Sequence, residues 1–243
     1  MILRILRSGV RWLGVVLGFL ILVPLHVLVA AAGRPNLVPP LFLGYMGRVA
    51  GLRVRTEGGP RHGALFLANH LSWLDILALA GTTRAIFVAH SGLAGHGGLK
   101  WLCDQNDTVF ITRDRRGSVA MQVEQVRAAL GDRPLTIFPE GTTNDGTALL
   151  PFRSSLLSAV EPLAHEVPIQ AVALDYDDAA YIAWFGDEPG LANVHRILAR
   201  PGRIELTIRF LEPLSGEALA NRKAMTAAAQ AAIEGALRRD RPL

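Results

Sequence analysis

A single cysteine, Cys103, stands in the 243 residues. It excludes an intrachain disulfide, and no CxxC or zinc-binding spacing exists. Lysine is almost as scarce. Lys100 and Lys223 are the only two, so nearly all positive charge is arginine, a residue suited to two-pronged contact with phosphate or carboxylate. The formal net charge is only +4 and the basic residues are scattered, which argues against nucleic acid as a partner. No G-x-G-x-x-G follows an apolar strand and no Walker A loop occurs, so nucleotide-binding α/β enzymes lose support. A G-x-S-x-G elbow is also missing. Ser91 in "AHSGL" does not match one, and Cys103 in "WLCDQN" lacks a local nucleophile pattern.

What the chain has instead is apolar length. Half of its residues are hydrophobic and the mean hydropathy is +0.29. "LGVVLGFLILVPLHVLVAAA", Leu13 to Ala32, carries no formal charge. Twenty such residues make a helix of about 30 Å, the thickness of a bilayer core. A second apolar stretch runs from Leu37 to Leu52. Arg4, Arg7 and Arg11 precede the first run, and Arg34, Arg48, Arg53 and Arg55 follow it, so the positive-inside rule gives no clear orientation. One spanning helix, or a helix pair dipping into one leaflet with both ends on the same side, fits this pattern. Basic flanks on both sides and Pro24 near the middle favour the pair. Residues 1–50 are therefore expected to form a hydrophobic N-terminal membrane anchor, and residues 51–243 a catalytic domain.

Beyond Leu52, short apolar runs alternate with amphipathic ones. Ala64–Asn69, Ala85–His90, Thr108–Thr112, Pro134–Pro139, Val167–Tyr176 and Arg203–Phe210 read as buried strands. Ser118–Leu130 reads as a helix with Val119, Val123, Val126 and Leu130 on one face, stopped by Gly131 and Asp132. Ser155–Ala164 and Gly216–Arg239 also read as helices. This alternation predicts an α/β domain with a central mixed, largely parallel sheet flanked by helices.

"NHLSWLD", Asn69 to Asp75, places a polar pair at the end of a buried strand, where sites are built in α/β sheets. With a helix starting near Ser72, that residue is the N-cap and Asp75 the third helical position, much like a capping box. Inside one continuous helix, residues five apart are about 140° out of register. With His70 in the turn, the two side chains can meet. A carboxylate on one ring nitrogen fixes the tautomer and leaves the other free to take a proton. That is a base without a built-in nucleophile, so direct attack by a substrate hydroxyl fits better than a covalent enzyme intermediate.

Two further clusters follow strands. "TIFPEGTTNDG", Thr136 to Gly146, sets Glu140 and Gly141 in a tight turn whose backbone N–H groups can face an anion. "FITRDRRGS", Phe110 to Ser118, brings Arg113, Arg115 and Arg116 to a strand end, and Arg153 follows near the same edge.

These segments carry a resemblance. "NHLSWLD", "VFITRDRR" and "FPEGTT" resemble, in order and spacing, the first three motifs of the lysophosphatidic acid (glycerolipid) acyltransferase family, and "VPIQAVAL" is similar to the fourth. The resemblance spans roughly Leu52 to Phe210. It implies a membrane-bound O-acyltransferase on the cytoplasmic face of a bacterial inner membrane. His70 is then the base that activates the acceptor hydroxyl, and Asp75 orients it. Asn69, Ser72, Arg113, Glu140, Gly141, Thr142 and Arg153 are the implied substrate-binding residues. The partners are an acyl-ACP or acyl-CoA donor, a lysolipid acceptor and membrane lipid; no metal or cofactor is needed. By family prior the acceptor is 1-acyl-glycerol-3-phosphate, giving phosphatidic acid. Two departures point elsewhere. Thr143 stands where the third motif usually has arginine, and His90 where a lysine is common. "GTTNDG" and the later "IAWFGDEP" look closer to the lyso-ornithine lipid acyltransferase branch, whose acceptor is zwitterionic. A thioester or lipid hydrolase using His70 on water is the rival of another class.

Overall fold

The computed structural model describes residues 2–90, 92, 95, 97–111 and 119–238. Seven strands form one sheet in the order β1-β7-β6-β2-β5-β3-β4. They are β1 (Leu52–Glu57), β2 (Leu65–Ala68), β3 (Ile86–His90), β4 (Val109–Ile111), β5 (Leu135–Ile137), β6 (Ile169–Tyr176) and β7 (Ile204–Pro213). The five strands from β6 to β4 run parallel. β7 joins β6 antiparallel, and β1 pairs parallel with β7. The sheet is thus mixed and largely parallel, as expected.

Helices cover both faces: α1 (Ile2–Ala31), α2 (Val38–Ala50), α3 (Leu74–Thr83), α4 (Gly97–Gln105), α5 (Val119–Ala129), α6 (Ala179–Ile182), α7 (Gly190–Ala199) and α8 (Arg222–Arg238). Alternation along β2 divides the core between the faces. Phe66 and Ala68 join the core that includes Leu74, Leu77 and Ile197, whereas Leu65 and Leu67 join Val123, Val126, Met225 and Ile233.

Besides α4, α6 and α7, which no expected helix covered, the structure departs from the expected elements in four places. β1 was not among the expected strands; it lies at the sheet edge with Arg53, Arg55 and Glu57 interleaved, so it has no continuous apolar run. Ser155–Ala164 is not an α-helix but two 3₁₀ turns, Ser154–Leu157 and Glu161–Leu163, because Pro162 has no N–H to continue a helical ladder. The last helix starts at Arg222 rather than Gly216. Asn221 Oδ1 accepts the Lys223 and Ala224 N–H groups at 3.0 Å each and sets its N-terminus. α3 starts at Leu74 with Trp73 as its N-cap, one residue later than expected.

α1 continues through Pro24 as a 30-residue helix, about 45 Å long. Its apolar segment is only 11% buried, and it is the one helix among the described residues long and apolar enough to cross a membrane. It is also anchored to the rest of the chain along much of its length. Arg11 donates to the carbonyls of Ile197 and Leu198 (3.3 Å each) and of Arg200 and Gly202 (3.0 Å each), a cation on the C-terminal end of α7. Tyr45 Oη donates to the Gly14 carbonyl at 3.0 Å, Phe19 meets Phe42 edge to face, and His26 Nε2 lies 2.8 Å from Gln105 Oε1.

α2 lies against α3 through two glycines. A Cβ on Gly81 would fall 2.6 Å from the Gly44 Cα. Alanine at 81 gains about 1 kcal/mol of helix propensity but forces two backbones apart. Gly81→Ala is therefore expected to destabilise the fold by about 1–3 kcal/mol net, read as a lowered denaturation midpoint with unchanged slope.

Candidate active site

Three adjacent parallel strands end at one edge of the sheet. β2 is the middle one, with Leu67 opposite Ile137 of β5 and Ala68 opposite Val172 of β6. Asn69 and His70 leave β2 here, Phe138 and Glu140 leave β5, and Tyr176 ends β6. The crevice at the carboxyl ends of such strands is where α/β folds build sites.

His70 Nδ1 lies 2.8 Å from Asp75 Oδ2. The same oxygen accepts the N–H groups of Leu71 (2.6 Å) and Ser72 (2.9 Å), and Tyr176 Oη donates to Oδ1 at 2.7 Å. Asp75 is fully buried, whereas the His70 side chain keeps 18% exposure. The imidazole stacks on the Phe138 ring, with centroids 4.0 Å apart and planes 16° from parallel. An ionised Asp75 holds the ring proton on Nδ1 and leaves the Nε2 lone pair as the basic position. Tyr176 is buried, and burial beside the Asp75 charge pushes its pKa well above 10.0, so its hydroxyl stays a donor.

Glu140 supports the dyad from β5. Its Oε1 accepts the His70 backbone N–H at 2.7 Å. Its Oε2 accepts Asn144 Nδ2 at 2.7 Å and the Leu150 N–H at 2.9 Å. Burial raises its pKa, and the His70, Leu150 and Asn144 donors act against that rise. Both oxygens of this fully buried carboxylate are turned into the protein. Glu140, expected to contact the acceptor, here bonds the backbone that carries His70.

Two more expected substrate contacts are likewise interior. Asn69 bridges β2 to β6, donating to the Leu174 carbonyl at 3.0 Å and accepting the Leu174 N–H at 2.7 Å. Ser72 is fully buried with its hydroxyl 3.5 Å from the Leu74 N–H. Their polar groups satisfy a buried chain turn, as buried polar atoms must. The Gly141 N–H donates to the Phe138 carbonyl at 3.0 Å in a turn that takes φ to +73°, a conformation glycine adopts without strain. Thr142 and Arg153 are exposed on the loop that follows. Arg113, with Arg115, Arg116, Ser91 and His96, lies outside the described residues.

A second layer holds the two loops together. Thr143 Oγ1 donates to the Trp184 carbonyl, and the Trp184 N–H donates to the Leu71 carbonyl at 3.0 Å. Trp73 Nε1 donates to Asn193 Oδ1 at 2.9 Å, and Asn193 Nδ2 reaches Glu188 Oε2 at 2.7 Å. Hydrogen bonds from Arg196 hold the Glu188 pKa down. Tyr176, Asn144 and Phe138 were not among the expected site residues. Only one weak signal marked Tyr176, a hydroxyl closing a largely apolar strand that also carries Gln170 and Asp175. Among the described residues, no cluster of three or more His, Cys, Asp or Glu could hold a metal ion.

A base at a strand end, on a rigid buried support, can take a proton from a hydroxyl placed against Nε2. Known proteins are similar to this chain in sequence and fold. A family model described as Acyltransferase matches residues 49–175. The chain is 33% identical over 199 residues to the lyso-ornithine lipid O-acyltransferase of Rhodobacter capsulatus, covering 78% of this chain and 71% of the relative. With the lyso-ornithine lipid O-acyltransferase of Pseudomonas aeruginosa it is 30% identical over 246 residues, 97% and 94% of the two chains. With the 1-acyl-sn-glycerol-3-phosphate acyltransferase of Neisseria gonorrhoeae it is 34% identical over 143 residues, 54% and 53%. The crystal structure of the 1-acyl-sn-glycerophosphate acyltransferase from Thermotoga maritima has the same fold, with a TM-score of 0.71 and 15% identity over 99% of this chain and 98% of that one.

Proposed function

From the chain's membership of the acyltransferase family, we propose that it transfers an acyl chain from an acyl thioester to the free hydroxyl of lyso-ornithine lipid. The His70–Asp75 pair carries this reading. Nε2 takes the hydroxyl proton while the oxygen attacks the thioester carbonyl carbon. The C–S bond then breaks, and the departing thiolate receives the proton from the imidazolium. No acyl-enzyme forms. The donor is acyl-ACP or acyl-CoA.

Two observations favour the ornithine acceptor over lysophosphatidate. Relatives with that activity in their names align over 71–97% of this chain, those named for the phosphate acceptor over 54–70%. Thr143, at the position of the family's third-motif arginine, spends its hydroxyl on the Trp184 carbonyl and offers a phosphate no charge. A phosphate-bearing acceptor is the second reading, supported by Arg153, exposed on the loop beyond Glu140. α1 supports attachment to a membrane, from which lipid reaches the site. The relatives in Rhodobacter and Pseudomonas support a bacterial source, and we place the catalytic domain, residues 51–243, on the cytoplasmic side of the inner membrane as part of this proposal.

Detergent-solubilised full-length protein, given labelled acyl-ACP or acyl-CoA and each lysolipid separately, tests this. The expected result is at least about tenfold higher kcat/KM for lyso-ornithine lipid, roughly 1.4 kcal/mol of discrimination. Preference for lysophosphatidate would transfer the function to the second reading. Free fatty acid with neither lipid product would make the protein a hydrolase.

A further inference from the structure

Asp75 receives donors from two directions. His70, Leu71 and Ser72 converge on Oδ2 from the β2–α3 turn. The Tyr176 hydroxyl reaches Oδ1 from β6, across 101 residues of chain. Both side chains are buried, with Asp75 fully so and Tyr176 at 3% exposure. A hydroxyl in such a place needs a partner, but β6 could have ended in phenylalanine without that need.

We infer that Tyr176 is a positioning residue for acyl transfer, which sets the rotation of the Asp75 carboxylate and tunes how strongly that carboxylate holds the His70 ring proton. The inference rests on His70 acting as the base. The terminal torsion of an aspartate is broad and soft. A donor on Oδ1 and three on Oδ2 leave the carboxylate one orientation, with Oδ2 on the imidazole. The Tyr176 bond also draws negative charge toward Oδ1. Asp75 then stabilises the imidazolium less than it would with Oδ1 bare.

Other charged groups near the dyad have their own partners. Glu140 faces His70 from the β5 side, but through the backbone N–H rather than the ring. Asp175, next to Tyr176, turns to Arg209 at 2.6 Å, and Arg209 also holds Glu57 at 2.8 Å. Behind Trp73, Glu188 is paired with Arg196 at 2.8 Å. Among the described residues, Tyr176 is therefore the group outside the His70–Asp75 loop whose bond ends on the dyad carboxylate itself.

Tyr176→Phe removes the hydroxyl and keeps the ring. The acidic limb of kcat/KM against pH is expected to move up by about 0.5–1 pH unit. At neutral pH kcat is expected to fall about 3- to 10-fold with KM for the acyl donor unchanged. Titration of the His70 imidazole by NMR in the same variant should rise in step, and this readout needs no turnover. Fluorotyrosine at position 176 has a more acidic hydroxyl and donates more strongly, so it should move both readouts down. It guards against a Phe variant that merely packs badly. If neither substitution moves the limb or the ring titration, Tyr176 is only a packing residue and the inference is overturned. The base reading fails separately, when His70→Ala stays active.

Discussion

Replacing His70 with alanine is expected to lower acyl transfer about 10²–10⁴-fold, the range general-base catalysis contributes. The loss should fall on kcat, because the group acts on a proton in flight and not on substrate binding. The fold should survive. Asp75 would keep the Leu71 and Ser72 N–H groups and the Tyr176 hydroxyl, so no buried carboxylate oxygen is stripped of partners. Membrane partition should also be unchanged, since α1 is held by Arg11, Gly14, Phe19 and His26, none of them in the dyad. Asp75→Ala is a poorer probe, because it leaves interior N–H groups without an acceptor. Retention of more than a tenth of wild-type activity in His70→Ala, with a native melting profile, would remove His70 from the role of base.

Glu140→Gln is expected to be nearly as damaging as Glu140→Ala. Every group facing this carboxylate is a donor: the His70 N–H, the Leu150 N–H and Asn144 Nδ2. A carboxamide must turn its own NH₂ toward at least one of them. The cost is about 1–3 kcal/mol for each buried donor left without a partner, and roughly 2–4 kcal/mol in stability together. Activity should fall about 10- to 100-fold through kcat, because the backbone of His70 loses its clamp and small misplacements of a catalytic group are costly. Denaturant unfolding and steady-state kinetics of both variants separate this from the expectation of an acceptor contact. Were Glu140 a ligand for the acceptor, KM would rise while stability and kcat held.

The His70–Asp75 pair and its neighbours differ in how far apart they lie along the chain. His70 and Asp75 are five residues apart, so one turn decides whether they meet, and the spacing was legible. The strands that bury two faces were legible too, as near-continuous apolar runs. β1 was not, because Arg53, Arg55 and Glu57 leave it no apolar run. The proline inside 155–164 outweighed an apolar periodicity that reads as helix.

Roles within the site followed the same division. Residue types and spacing in the sequence by themselves determined the chemistry available: a histidine paired with an aspartate, no nucleophile, and an apolar N-terminus. Only the tertiary structure decided which polar residues face inward. Glu140 reaches His70 across 70 residues and Tyr176 reaches Asp75 across 101, in each case because β5 and β6 pair with β2. Strand adjacency is set by burial of the whole sheet, a sum over many side chains that no single motif contains. A motif names groups that can react; the neighbours of the strand that carries it decide whether each group meets solvent, substrate or the backbone of the next loop.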